Sequence, residues 1–108
     1  MAWSISYHTK AVESFVLALP DGLLARYLRL TDMMLAFGAN LGMPHTRAMR
    51  DGLFELRVKG NEGIARVFYC TLAGQRIVML HGFIKKSEKT PPKELKLARE
   101  RLAEVNRP

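Results

Sequence analysis

From Leu53 onward apolar residues recur at every second position, interrupted only by two short turns, Gly60-Asn61-Glu62-Gly63 and Leu72-Ala73-Gly74-Gln75. Period two belongs to strands, whose successive side chains face opposite ways. Three strands are therefore expected, Leu53 to Lys59, Ile64 to Thr71 and Arg76 to Ile84. Parallel strands need long crossovers, so connections this short make the three an antiparallel meander.

Upstream the period is helical. Trp3 to Tyr7 alternates like a short strand, and Val12, Phe15, Val16 and Leu19 then follow at helical spacing until Pro20 closes the helix. Asp21 is an N-cap residue type, and Leu24, Tyr27, Leu28, Thr31, Met34 and Leu35 form the expected apolar face of a second helix ending at Gly38. Ala39 to Asp51 reads as a loop. After the meander, Thr90 followed by Pro91 starts a last helix with Leu95, Ala98, Leu102 and Val105 on its stripe. The order β-α-α-β-β-β-α describes an α+β fold, a small antiparallel sheet with an N-terminal helical hairpin and a C-terminal helix.

The 108 residues fit one domain, 1–108, with 48% hydrophobic residues to fill a core and 25% charged. No run approaches the ~18 apolar residues of a membrane span. The start of the chain lacks the basic and apolar regions of a signal peptide, and Cys70 has no second cysteine to pair with. A cytoplasmic protein with one buried thiol is expected. Seventeen Lys and Arg against ten Asp and Glu leave a net charge of +7, which calls for an anionic partner.

The strand pattern places some of that charge. On the first arm of the meander Phe54, Leu56 and Val58 face one way, and Leu53, Glu55, Arg57 and Lys59 the other. A turn centred between Asn61 and Glu62 sets Arg57 opposite Arg66, and one centred between Ala73 and Gly74 sets Arg66 opposite His81. The result is a cationic row flanked by Glu55 and Lys59. Like charges directly opposite each other cost up to ~1 kcal/mol, so a bound anion would explain the row. The bland alternative is a solvated face whose arginines pair with Glu55 or Glu62. The last strand runs into Phe83-Ile84-Lys85-Lys86-Ser87-Glu88-Lys89-Thr90-Pro91, three lysines within five residues ahead of a helix start. That combination suits phosphate.

Leu53 to Arg57, Gly63 to Tyr69 and His81 to Pro91 together resemble the phage-derived, HigB-like branch of the RelE toxin superfamily. The likeness runs from Arg50 to about Glu104, with the N-terminal third similar only in its β-α-α order. It implies a RelE-like fold and a metal-independent endoribonuclease that cuts mRNA on translating ribosomes, with no cofactor. It also implies a cognate helix-turn-helix antitoxin, HigA-like, as partner, besides mRNA and ribosome, and no membrane. The family's strand arginines match Arg57 and Arg66, and its lysines match Lys85, Lys86 and Lys89. The tyrosine that many relatives carry near the C-terminus is missing from Thr90 to Pro108, which leaves the proton donor open.

Metal-free RNA cleavage uses the ribose 2′-OH as nucleophile. It needs a base, cations for the phosphorane charge, and an acid for the leaving 5′-oxygen. Lysine takes the base's part where neighbouring cations pull its pKa below ~10.4. The catalytic candidates are thus Arg57 and Arg66 as clamps, Lys85 or Lys86 as base, and His81 as acid. Of His8, His45 and His81, only His81 falls on the candidate face. Lys59, Phe83 and Lys89 are candidate substrate contacts, with Phe83 stacking on a base or packing in the core. Two rival functions remain open, a ParE-like gyrase poison of the same fold and a non-catalytic nucleic-acid-binding module.

Overall fold

A computed structural model describes residues 2–86 and 89–107. Its elements are β1 (Ser4–Tyr7), α1 (Lys10–Leu17), α2 (Asp21–Phe37), β2 (Thr46–Ala48), β3 (Phe54–Gly60), β4 (Gly63–Leu72), β5 (Arg76–Lys85) and α3 (Pro92–Val105). The α+β architecture is as expected, with one strand more than the sequence pattern indicated. β2 lies inside the stretch read as a loop.

The meander β3-β4-β5 is antiparallel. β2 adds to β3 antiparallel, while β1 lies parallel to β5, so the sheet is mixed rather than purely antiparallel, in the order β1-β5-β4-β3-β2. A parallel pair needs a long connection, and the whole chain between β1 and β5 supplies it.

α1 and α2 cover one face of the sheet and α3 part of the other. Val12, Val16, Leu23, Tyr27, Leu30 and Met34 pack on Leu56, Val58, Ala65, Val67, Tyr69, Ile77 and Met79. A second cluster joins Ala98 and Leu102 of α3 to Leu53, Phe68, Cys70, Val78, Leu80 and Phe83. Burial on both faces explains why β4 reads as a nearly unbroken apolar run. Of the expected apolar face of α2, Tyr27, Thr31 and Met34 are buried as expected. Leu23 and Leu30 complete it in place of Leu28 and Leu35, which are 49% and 39% exposed.

The helix starts also differ in detail. Asp21 is the first helical residue of α2 and Pro20 its cap. α3 is capped by Pro91 with Pro92 in the first turn, where a missing N–H costs nothing. α1 follows Thr9, whose hydroxyl accepts from the Val12 amide at 3.4 Å. Two buried tyrosines tie the α2 side together. Tyr69 donates to the Ala39 carbonyl at 2.6 Å, and the hydroxyls of Tyr27 and Tyr7 lie 2.8 Å apart. No helix among the described residues is long and apolar enough to cross a membrane.

A cationic cleft at the open end of the sheet

Register decides which side chains meet on the α3 side of the sheet. Arg57 lies opposite Arg66, as the symmetric turn after Gly60 requires. Arg66 in turn lies opposite Phe83, not His81. The turn pairs Leu72 with Arg76 and so is centred on Gly74, not between Ala73 and Gly74. A bulge between Phe68 and Tyr69 shifts the pairing of β4 with β5 by one residue more. His81 faces Phe68 instead. Three cross-strand rows result: Glu55, Phe68, His81; then Arg57, Arg66, Phe83; then Lys59, Ile64, Lys85. The first row lies under α3, and the last is at the uncovered end.

The central row carries the unusual chemistry. Arg66 is 4% exposed and Glu55 2%, and Arg66 Nε stands 3.7 Å from a Glu55 carboxylate oxygen. Thr90, just ahead of α3, donates to the other Glu55 oxygen at 3.4 Å. Burial lowers the Arg66 pKa from its ordinary value, Glu55 raises it again, and Arg57 lowers it further. A guanidinium, ordinarily far too basic to lose its proton near neutral pH, nevertheless stays charged. The pairing with Glu55 thus belongs to one arginine only. Arg57 is half-buried and places Nη1 3.4 Å from the Met43 sulfur, a weak acceptor.

Arg57, Lys59 and Arg66 line one cleft of about 240 Å³, together with Arg26, Pro44 and His45. Two of these, Arg26 and His45, escaped sequence reasoning. Arg26 comes from α2, one position off the buried stripe. His45 is brought in by β2, whose pairing with β3 lets the Arg57 amide donate to the His45 carbonyl at 2.8 Å. The reading that only His81 falls on the candidate face is therefore corrected. The signal that could have found β2 is Asp51-Gly52, a dipeptide that favours hairpins. Arg50, Asp51 and Gly52 have φ of 80°, 56° and 84°, and they reverse the chain between β2 and β3.

The remaining candidates sit around this cleft rather than in it. His81 is held against α3. Its Nε2 donates to Glu94 at 3.0 Å, and Arg101 Nη1 approaches Nδ1 at 3.4 Å while also donating to the Leu80 carbonyl at 2.7 Å. Phe83 is buried at 6% and stacks on Phe68 with centroids 5.9 Å apart, so core packing describes its surroundings. Lys85 is half-buried at the end of β5, and Lys86 and Lys89 are exposed beyond it. Ser87 and Glu88, in the lysine corner, lie outside the described residues. A second, wider cleft of about 580 Å³ shares Arg26 and Lys59 with the first and adds Arg29, Asn61 and Glu62.

The arrangement is a pocket edged by three arginines, a lysine and an imidazole, with no carboxylate on its wall. It suits a phosphodiester: guanidinium groups bind phosphate oxygens in a fixed fork, and cations at that point stabilise added negative charge.

A family model described as phage-derived protein Gp49-like (DUF891) matches residues 14–103, a span that includes every residue lining the 240 Å³ cleft. No curated protein matches the chain.

Proposed function

The chain belongs to the Gp49-like family of phage-derived proteins, a RelE/HigB-like toxin family associated with toxin–antitoxin pairs, and from that premise we propose that it is a HigB-like ribosome-dependent mRNA endoribonuclease. The observation that carries the reading is the cleft in which Arg57 and Arg66 stand directly opposite each other. Two adjacent like charges are a standing cost to a sheet. Among the described residues Glu55 pairs with Arg66 and no carboxylate pairs with Arg57, which leaves Arg57 for an external anion.

In this mechanism the scissile phosphate sits between Arg57 and Arg66. The 2′-OH attacks the adjacent phosphorus, and the two guanidinium groups hold the charge that gathers on the phosphorane oxygens. Lys85 or Lys86 removes the 2′-OH proton. Lys59 and Lys89 hold the backbone on either side. His81, the histidine on the neighbouring row, is the donor suggested by sequence, and both of its ring nitrogens are engaged by α3. An active site made almost entirely of cations has little to orient the 2′-OH, so the ribosome supplies that geometry. The cognate partner in this reading is a HigA-like helix-turn-helix antitoxin, and the cell compartment is the cytoplasm.

Primer extension on mRNA from translating extracts tests the reading. New 5′ ends that need both the protein and ribosomes support it. Continued translation with no new ends refutes it, and arrested replication instead would favour a gyrase poison.

A further inference from the structure

We infer that His45 is the proton donor to the leaving 5′-oxygen in RNA cleavage at the cationic cleft. The inference rests on the ribonuclease reading above.

His45 is the histidine on the wall of the cleft that holds Arg57 and Arg66, and it is half-buried there. Its position is fixed from both sides of its backbone. The His45 amide donates to the Gly42 carbonyl at 3.0 Å, and its carbonyl accepts from the Arg57 amide at 2.8 Å. The Arg57 side chain returns to the same loop at the Met43 sulfur. The His45 backbone is therefore tied directly to the strand that carries the phosphate clamp. Among the described residues nothing bonds to its ring.

The other histidines are committed elsewhere. His81 is bonded at both nitrogens, to Glu94 and Arg101. His8, at the end of β1, stands 3.6 Å from Glu104 of α3. A proton donor needs a free N–H directed at the substrate, and His45 is placed to offer one. Imidazole is also the side chain that gains and loses a proton near neutral pH, so it can be reloaded between turnovers. The charged groups facing it are Arg26 from α2, Arg57 and Lys59 from β3, and Arg66 from β4. All are donors that cannot compete for its proton at neutral pH.

The step balances without any further reactant. The 2′-oxygen gives its proton to the base and forms a bond to phosphorus. The bond from phosphorus to the 5′-oxygen breaks, its electron pair staying on that oxygen. The His45 N–H proton passes to the oxygen, giving a 2′,3′-cyclic phosphate and a free 5′-OH, and solvent reprotonates the imidazole.

The test compares two mRNAs on programmed ribosomes, one natural and one with sulfur replacing the bridging 5′-oxygen at the mapped cleavage site. Sulfur leaves without a proton, so it removes the need for an acid. His45→Ala should cut the natural RNA about 10²–10⁴-fold more slowly than the unmodified protein. It should cut the sulfur-substituted RNA at close to the unmodified rate. Arg57→Ala, lacking a clamp rather than an acid, should stay slow on both. Thermal melting of His45→Ala, and the more conservative His45→Gln in the same assay, exclude loss of fold. Equal slowing of His45→Ala on both substrates, or no slowing on either, overturns the inference while leaving the ribonuclease reading intact. If the unmodified protein cuts neither RNA, that reading falls and the inference with it.

Discussion

Replacing Glu55 by alanine leaves the Arg66 guanidinium buried at 4% exposure with no counter-charge, its Nε having stood 3.7 Å from the carboxylate. Removing one partner of a buried ion pair typically costs about 3–5 kcal/mol, most of it the desolvation of the charge left behind. For a domain of this size each kcal/mol moves Tm by about 4–8 °C, so Glu55→Ala should melt roughly 12–40 °C lower. That is a large share of a total stability of about 5–15 kcal/mol. The informative variant is the double replacement Glu55→Leu with Arg66→Met. Apolar groups of similar volume remove both charges at once, and such swaps are often neutral or stabilising by about 1–4 kcal/mol. The double variant should therefore melt at or above the Tm of the unmodified protein while losing RNA cleavage. Thermal melts followed by circular dichroism, with cleavage on translating ribosomes in parallel, measure both. If the double variant is as unstable as Glu55→Ala, the pair is a stability device and the argument that it serves an anion site fails.

Other expectations follow from packing and ionisation. An added Cβ at Gly82 would stand 2.5 Å from the Phe15 ring, so Gly82→Ala should lose about 1–3 kcal/mol in urea titration, and no loss would mean that Phe15 yields freely. Burial pushes the Tyr69 hydroxyl up to about 12 and Tyr27 higher still, so both keep their protons in the fold after an unfolded tyrosine has lost its own. The Tyr69 contribution is thus complete below pH ~10 and lost as pH rises through about 12, and that of Tyr27 persists higher. Ultraviolet titration should accordingly show these two phenols ionising only with unfolding. Cys70 is 1% exposed and its thiol pKa is raised by burial, so alkylation should require denaturant; rapid labelling of the native protein would contradict the packing beneath α3. Lys59→Ala should weaken binding of single-stranded RNA and lower the salt slope of the affinity by about one.

The meander and the Arg57–Arg66 pairing were legible because the turn between β3 and β4 is even and closes symmetrically between Gly60 and Gly63. The next pairing was not. The β4–β5 turn is centred on Gly74, one residue off the even turn expected, and the Phe68/Tyr69 bulge adds one more. Together they replace His81 by Phe83 beside Arg66, and no residue there announces a bulge. On α2 Tyr27, Thr31 and Met34 were legible, but both Leu28-Leu35 and Leu23-Leu30 flank them as apolar pairs at helical spacing. Only contact with the sheet decides between them. β2 is three residues long, too short to display a period. Missing it concealed His45, whose place depends on pairing with β3.

Single-turnover cleavage of mRNA on programmed ribosomes, comparing the unmodified protein with Arg57→Ala, tests the central claim most directly. Arg57 is half-buried and has no ion-pair partner among the described residues, so its loss should leave the fold intact. Removing one preorganised donor for developing charge typically costs 10²–10³ in rate, about 2.7–4 kcal/mol. A fall of that size with unchanged Tm is the result predicted for a phosphate-cleaving cleft. Equal rates for the two proteins would contradict it.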